Sequence, residues 1–202
     1  MDAITRQLTG LERAELERHF LALEAEDRRL RFGQVLRDVQ VCDYVARIDL
    51  RRDAVFGVFC DELALVGAAH LARAEDHAEL GISVLRGWRG RGIGTILLQR
   101  SHMHVRNAFV RTLYMHCLSE NAQMLRLARR QGMRIATTAG EADAYLDVAP
   151  PDSATLAGEF LAERIGLFDY ALKKQRHDVR RLTATLGVTS RAVGAGKIES
   201  AA

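Results

Sequence analysis

The stretch of residues 80–98, LGISVLRGWRGRGIGTILL, constrains the fold more than any other part of the chain. Apolar residues alternate over 80–84, as in a β-strand with one buried face, and a helix is predicted over Ile93–Asn107. A basic, glycine-rich turn at 89–94 joins the two. The first N–H groups of a helix lack intrahelical partners, and the helix dipole favours negative charge there. The segment therefore predicts an anion-binding site at a strand-to-helix junction.

Three phosphate-binding patterns can be compared with this turn. A P-loop requires a lysine followed by serine or threonine after its second glycine, and residues 93–95 contain no lysine. A dinucleotide-binding G-x-G-x-x-G fingerprint would need a glycine where Thr95 stands. The pattern that fits is Arg-x-x-Gly-x-Gly, carried by Arg89, Gly92 and Gly94. The alternative is an ordinary glycine-rich turn between a strand and a helix.

The Arg-x-x-Gly-x-Gly pattern resembles motif A of the GNAT family of N-acetyltransferases, in which it binds the pyrophosphate of acetyl-CoA. Residues 118–133 resemble the next strand, loop and helix of that family, and the resemblance covers roughly residues 44–148. It implies an α/β fold of the GNAT-like acyl-CoA N-acyltransferase type, with a mixed sheet and helices on both faces. Residues 23–32 are also similar to the start of the acetyltransferase domain in bacterial protein-lysine acetyltransferases.

The resemblance implies where acetyl-CoA would bind. In this family the strand before the turn splays from its neighbour and its backbone pairs with the pantetheine, which assigns that edge to Val84, Leu85 and Arg86. The pyrophosphate is assigned to the turn and the helix start, which comprise Arg89, Gly90, Arg91, Gly92, Ile93, Gly94 and Thr95. Asn121 stands where the family has an asparagine that hydrogen-bonds the pantetheine, and it can also cap the following helix.

The candidate catalytic groups are a carboxylate and a hydroxyl. Glu79 lies on the strand before the turn and alternates away from its apolar residues, so it is the candidate general base, as in many protein-lysine acetyltransferases. The family's general acid is usually a tyrosine in the next helix, but residues 119–128 contain none, and Tyr114 lies earlier, within a strand. Ser119 is the candidate instead, directly or through water. Cys117 alternates with apolar residues, which predicts burial rather than covalent catalysis.

Composition argues against several other classes of protein. The 202 residues are 48% hydrophobic, which suits one domain with an appendage, and scattered basic residues, a net charge of +3 and 6% aromatics argue against nucleic-acid binding. The three cysteines form no C-x-x-C pair, and His102 and His104 point apart on a helix, so no metal site is expected. There is no signal segment and no apolar run near 18 residues, so we expect a cytoplasmic protein without a membrane span.

The rest of the chain alternates between helix-like and strand-like patterns. Thr9 and Glu12 form a capping-box sequence before a first helix, and a second helix is predicted over 26–37. From Tyr44 the pattern becomes strand-like. Strands are predicted at Ala54–Cys60, Leu63–Leu71, Ala78–Leu85, Thr112–Leu118, Met133–Thr138 and Ala142–Val148, with a further helix at Asn121–Gln131 that stops at Gly132.

The C-terminal part is predicted to be separate from a domain of residues 1–149. Residues 150–187 form a long helix that ends at Gly187, and residues 188–202 form a loose tail. One face of this helix carries apolar residues at heptad spacing, here called the seam, with Gln175 in its one gap. The seam consists of Leu161, Ile165, Phe168, Leu172, Val179, Leu182 and Leu186. It favours a homodimer whose register Gln175 sets, and the alternative is a helix that lies back on its own domain.

Two functions from different classes follow. The first is an N-acetyltransferase that moves an acetyl group from acetyl-CoA to a primary amine, of a protein lysine or a small molecule, by direct attack. The second is a non-catalytic acyl-CoA-binding sensor or scaffold that acts through its C-terminal helix. Glu79 favours the enzyme, and the missing tyrosine is compatible with the sensor.

Overall fold

The computed structural model describes the backbone of residues 4–194 and the side chains of residues 4–183. Seven strands form one mixed sheet in the order β1-β2-β3-β4-β5-β7-β6. The strands are β1 (Thr5–Gln7), β2 (Ala54–Phe59), β3 (Leu65–Arg73), β4 (His77–Val84), β5 (Thr112–Leu118), β6 (Arg134–Thr138) and β7 (Glu141–Asp147). The α-helices are α1 (Arg13–Leu21), α2 (Ala25–Phe32), α3 (Asp38–Arg47), α4 (Ile93–Asn107), α5 (Ala122–Arg130) and α6 (Ser153–Gly194). The expected α/β class with a mixed sheet and a C-terminal helix is confirmed.

Helices cover both faces of the sheet. Because successive side chains of β4 point to opposite faces, neighbouring residues of this strand meet different helices. Leu80 and Ile82 of β4 pack with Leu97 and Leu98 of α4 in the larger apolar core. A second core on the opposite face joins residues of α1 and α3 to β2 and β3. Successive strand residues point to opposite faces, so Glu79 and the other odd-numbered residues of β4 face away from α4.

The sheet opens between β4 and β5. These parallel strands pair only at His77–Thr112, Ala78–Leu113 and Glu79–Tyr114, and no other described residue pairs with the remainder of β4 on this side. On its other side β4 stays paired with β3 as far as Val84. The splay that the family resemblance implies is therefore present, and it leaves one backbone edge of β4 free beside the glycine-rich turn.

The N-terminal region differs from the predicted pattern in two places. The helix predicted over 26–37 is shorter, because α2 ends where Gly33 adopts a left-handed backbone with φ +74°, and a separate helix, α3, begins at Asp38. Helix α3 then occupies a segment whose end was expected to be strand-like from Tyr44. Val41 and Val45 are four residues apart and both are buried. This spacing puts them on one face of a helix, which favours a helix over a strand in this short segment. The three-residue strand β1 was too short to predict.

The other short-range signals are confirmed. Thr9 and Glu12 form the predicted capping box, in which the Glu12 carboxylate accepts from the Thr9 amide at 2.9 Å. Helix α4 and strand β5 have the predicted bounds. Gly132 has a left-handed φ of +76° immediately after α5, as expected for a helix stop. In the part of the chain that the structure describes, no helix has the length and apolar character needed to cross a membrane.

The C-terminal helix is longer than predicted. Helix α6 continues to Gly194, so the prediction that Gly187 ends it is wrong, and residues 188–194 of the predicted loose tail are helical. A glycine inside a helix costs about 1 kcal/mol relative to alanine, which weakens a helix without stopping it. Residues 195–202 of that predicted tail lie outside the described residues.

Helix α6 lies on its own domain through a face other than the seam. Gly166 packs directly against the backbone of Thr5 and Arg6 in β1, where any side chain would overlap. The Lys173 ammonium donates to the Phe59 carbonyl at 2.9 Å. The Glu159 carboxylate accepts hydrogen bonds of 2.9, 2.7 and 2.7 Å from α4, donated by Arg100, His104 and Asn107. Helix α6 therefore does lie on its own domain, as in the predicted alternative. It does so through this face of polar and small residues and not through the seam.

The seam itself faces outward. Leu161 is 59% exposed and Phe168 is 67% exposed, and the other seam residues with described side chains are also exposed. Gln175 is exposed with them, while the Leu186 side chain lies outside the described residues. Contact with the domain through one face thus leaves the apolar face of α6 without a partner among the residues that the structure describes.

Candidate active site

A cleft of about 680 Å³ lies along the free edge of β4. Its floor is the end of β4, including Ile82, Ser83 and Val84, and the glycine-rich turn forms one end. Helix α5 forms one wall, and α2 forms the other through Asp27, Leu30 and Arg31. The site that sequence analysis placed at a strand-to-helix junction is therefore a cleft between two helices.

The turn presents backbone to the cleft. Gly90 and Gly92 have left-handed φ values of +75° and +79°, a conformation that favours glycine. Apart from the chain neighbours, no atom of the described residues lies within 4 Å of the Cβ position at either glycine, so the space in front of them is open. The first hydrogen bond of α4 runs from the Ile96 amide to the Gly92 carbonyl, and the earlier amides lack intrahelical acceptors. This geometry suits a phosphate group.

The two arginines of the turn differ in position. Arg89 lines the cleft, where its Nε donates to the Val84 carbonyl at 3.1 Å and its Nη2 pairs with Asp27 of α2 at 2.7 Å. Arg91 lies outside the cleft lining, over the Trp88 ring with 4.6 Å between the guanidinium carbon and the ring centroid. A phosphate bound at the turn would therefore compete with Asp27 for Arg89.

The pantetheine edge assigned from the resemblance is only partly in the cleft. Val84 lines it. The Leu85 amide donates to the Val66 carbonyl at 2.9 Å, and its side chain packs in the core beneath α1 and α3. Arg86 is exposed and pairs with Glu24 at 2.8 Å. Neither Leu85 nor Arg86 lines the cleft, because the short 3-10 helix Arg86–Trp88 turns the chain away after Val84.

Asn121 has the capping role expected of it, and its place in the cleft is consistent with the pantetheine contact that the resemblance implies. It is the N-cap of α5, where its Oδ1 accepts from the Met124 amide at 3.1 Å, and it lines the cleft. Its Nδ2 reaches the Leu30 carbonyl of α2 at 3.5 Å. A buried side chain thus connects the two helical walls.

Glu79 and Ser119 lie at the ends of the splay rather than in the cleft lining. Glu79 is exposed, two residues before Gly81, at the last paired position of β4 with β5. Ser119 follows β5, and its amide donates to the Gly140 carbonyl at 2.9 Å. Glu79 is therefore exposed at the narrow end of the splay, and the structure does not bring Glu79 and Ser119 together on one wall.

Tyr114 and Cys117 lie nearby but are poorly suited to act in place of Glu79 and Ser119. The Tyr114 hydroxyl donates to the Asp143 carboxylate at 2.7 Å, and burial and that hydrogen bond raise the pKa of Tyr114. Burial also raises the pKa of the Cys117 thiol, which disfavours the thiolate that covalent catalysis requires. Among the described residues, no group of three His, Cys, Asp or Glu side chains is arranged to hold a metal ion.

Sequence reasoning missed the α2 wall of the cleft. Asp27 and Arg31 are four residues apart, on one face of α2, and both line the cleft. The only signal for them was the similarity of residues 23–32 to protein-lysine acetyltransferases. Two further arginines of α5, Arg126 and Arg130, also at i,i+4 spacing, add positive charge to the opposite wall.

The comparisons with known proteins agree with this geometry. The model of the Acetyltransferase (GNAT) family matches residues 15–133, so this chain belongs to the GNAT family of acetyltransferases. The match begins before residue 44, which adds α1–α3 to the part of the chain that resembles the family. None of the curated proteins matches the chain in sequence.

Solved structures show the same fold at low sequence identity. The GNAT domain of PAT from S. lividans has a TM-score of 0.62 at 17% identity, over 71% of this chain and 89% of that one. An N-acetyltransferase from Staphylococcus aureus Mu50 has a TM-score of 0.60 at 15% identity, over 74% and 100%. The PaiA N-acetyltransferase from Thermoplasma acidophilum, solved with coenzyme A, has a TM-score of 0.57 at 13% identity, over 73% and 99%.

Proposed function

We propose that the protein transfers an acetyl group from acetyl-CoA to a primary amine by direct attack of the amine on the thioester. The observation that carries this proposal is the free edge of β4, which leads directly into the open glycine turn at the start of α4. The pyrophosphate would accept hydrogen bonds from the α4 amides, and Arg89 would exchange Asp27 for a phosphate oxygen. The arginines of α5 add attraction for an anionic substrate.

The pantetheine would then extend along the free edge of β4. A backbone N–H near Val84 can donate to the thioester oxygen as negative charge develops there. Asn121 supplies a polar group on the opposite wall. The thioester is already activated, so the protein mainly has to orient the two reactants and accept a proton from the ammonium.

Glu79 is the proton acceptor in this proposal, directly or through one water. Its exposed position at the narrow end of the splay supports this role, because an acceptor amine can reach the thioester from that end. Release of coenzyme A as a thiol then requires one proton, which Ser119 or water would supply.

The deciding experiment measures release of free thiol from acetyl-CoA with a panel of amines, beside calorimetric binding of acetyl-CoA. The enzyme requires both binding and thiol release. Replacement of Glu79 in the Glu79→Gln variant should lower turnover by about 10²-fold while binding is retained. Glu75→Gln, a matched change at an exposed position before β4, should leave turnover intact. Binding without thiol release for any amine would instead support the acyl-CoA-binding sensor or scaffold.

We also propose that the seam of α6 packs against a second copy of the chain. The exposed apolar residues at heptad spacing support this, since an apolar stripe of that length is a liability in water. A two-fold partner supplies the same stripe, and Gln175 can pair with its symmetry mate to set the register. The contacts of α6 with its own domain leave the seam free for this role.

Sedimentation tests the dimer. The full-length protein should sediment as a dimer at tens of micromolar, and Phe168→Glu should produce a monomer that still binds acetyl-CoA. Lys174→Glu changes an exposed position of the same helix off the seam and should remain dimeric. A wild-type protein that is monomeric at this concentration would rule out the homodimer.

A further inference from the structure

The three arginines of α2 have different charge partners. Arg28 pairs with Asp38 at 2.6 Å, and Arg29 pairs with Glu26 at 2.8 Å and with Glu120 at 2.5 Å. Among the described residues, no carboxylate oxygen lies within 4.0 Å of the Arg31 guanidinium. Arg31 is also the arginine of the three that lines the cleft. The cation without a carboxylate partner is therefore the one that faces the site.

Arg31 can lie against β4 because a glycine leaves room for its guanidinium. Its guanidinium lies on Gly81 of β4, and a Cβ at that position would overlap the guanidinium carbon and both Nη atoms. Gly81 is two residues after Glu79, on the same face of β4, and just beyond the last β4–β5 pair. The positive charge therefore stands at the narrow end of the splay, between the candidate base and the rest of the cleft.

The surroundings of this guanidinium are apolar or neutral. Its carbon lies 4.9–5.8 Å from the centroids of three aromatic rings, those of Phe20, Phe32 and Tyr44. Its one hydrogen bond within the described residues runs from Nη2 to the Tyr44 hydroxyl at 3.1 Å, and its Nε is buried without a partner. The cation is thus partly desolvated, and most of its donors have no protein acceptor.

The other titratable groups around Arg31 do not neutralise it. Burial, with the charge of Arg31 as a further cause, lowers the pKa of His70 and lowers that of His19 to about 4, so both are neutral at pH 7. Asp53 accepts from His70 at 3.3 Å. Asp27, one turn before Arg31 on α2, pairs instead with Arg89 of the glycine turn at 2.7 Å. A partly buried cation without a counter-ion is costly, and an anionic ligand would offset that cost.

We propose that Arg31 binds a carboxylate of the substrate at the reacting end of the cleft. A guanidinium presents its donors in a fork that matches the two oxygens of a carboxylate. The pyrophosphate is assigned to the glycine turn beyond Val84, and the extended strand puts Val84 about 10 Å from Gly81, so the ligand of Arg31 is a different anion. The carboxylate belongs either to the acceptor, as in a free amino acid, or to a dicarboxylic acyl group such as succinyl. This inference rests on the proposed acyl transfer and defines its substrate class.

The first experiment compares matched ligands on the wild-type protein. For the acceptor, thiol release from acetyl-CoA is measured with free amino acids and with their amides. For the acyl group, calorimetric binding of succinyl-CoA is compared with that of acetyl-CoA. A preference of at least tenfold for the ligand with the carboxylate is expected in one of the two arms, and that arm identifies the source.

A binding measurement separates this inference from the proposed function. N-acetylated amino acids and their amides are titrated into the protein saturated with coenzyme A, which requires no turnover. If the protein releases no thiol but binds the carboxylates more tightly than the amides, the proposed catalysis is overturned and the role of Arg31 is supported. A protein that releases thiol yet shows less than twofold preference in all three comparisons would overturn the role of Arg31.

Variants on α2 test the residue itself. Arg31→Gln should reduce the carboxylate preference to less than twofold, and Arg31→Lys should keep part of it because the charge remains. Arg29→Gln removes a paired arginine from the same helix and should keep the full preference. An undiminished preference in folded Arg31→Gln would overturn the assignment. If that variant does not fold, the wild-type comparisons and Arg31→Lys still decide.

Discussion

Helices α4 and α6 lie against each other but use their apolar residues in opposite ways. Helix α4 buries Leu97 and Leu98 completely against the sheet, and it presents polar side chains to α6. Helix α6 meets α4 through Glu159 and Glu163 and leaves its seam exposed. An apolar stripe on a helix therefore shows that something must cover it, but the stripe does not say whether the cover is the same chain.

The largest expected effect is on stability and separates the two apolar faces. Leu97→Ala should lower the free energy of unfolding by about 2–5 kcal/mol, because the side chain is 0% exposed and leaves a cavity. Leu161→Ala, the matched change on the seam, should cost less than about 0.5 kcal/mol at concentrations where the protein is monomeric. Denaturant unfolding of both variants checks this, and equal losses would mean that the seam is covered within the chain.

The next effect concerns the start of α4. Gly94→Asp places a carboxylate where the proposed pyrophosphate lies, and the affinity for acetyl-CoA should fall well over tenfold, which is more than about 1.4 kcal/mol. Calorimetry on the folded variant measures it. The control is Gly158→Asp on α6, at a half-buried position outside the cleft lining, whose affinity should match the wild type. Unchanged affinity for acetyl-CoA in the Gly94→Asp variant would show that the pyrophosphate does not bind at the glycine turn.

A smaller effect is expected where the two helices meet. Glu159→Gln replaces an acceptor of three hydrogen bonds with a side chain that accepts fewer, while Arg100 keeps Glu163 as a partner. The loss in unfolding free energy should be about 1 kcal/mol. The control Glu17→Gln changes another glutamate, on α1 and away from this contact, and should leave stability within about 0.5 kcal/mol of the wild type.

The smallest expected effect is a pH dependence of the stability that the Glu159 hydrogen bonds provide. Burial would raise the pKa of Glu159, but hydrogen bonds from His104, Asn107 and Arg100 outweigh it and lower the pKa to about 2. The lowered pKa stabilises the folded protein fully above the unfolded value near 4.5, and this contribution is lost as the pH falls towards 2. The stability difference between wild type and Glu159→Gln should therefore shrink between pH 5 and pH 3. A constant difference across this range would contradict the lowered pKa.

The turn and α4 could be predicted from sequence because their signals are local. Gly90 and Gly92 adopt backbone conformations that favour glycine, and helical periodicity begins at once after them. The same local logic identified the capping box at Thr9 and the helix stop at Gly132. Each of these features depends on residues within one or two turns of each other, which is the range over which sequence patterns are informative.

The walls of the cleft could not be predicted in the same way. The Asp27–Arg89 pair joins residues more than sixty positions apart, and the contact of Arg31 with Gly81 depends on the packing of α2 over the splayed strand. Leu85 and Arg86 stand just before the motif in sequence and Arg91 stands within it, yet none of them lines the cleft. Nearness along the chain does not determine which side chains turn toward a common space.

Sequence patterns were enough to predict the family, the strand-turn-helix unit and a long C-terminal helix with an apolar seam. The folded chain was needed to show that α2 supplies a wall whose Arg31 has no carboxylate partner among the described residues, and that α6 meets its domain through Glu159, Gly166 and Lys173. The reason is that periodicity reports which residues share a face of an element. Which face meets which neighbour depends on shape and charge complementarity between segments distant in the chain, and these contacts form only when the whole domain is packed.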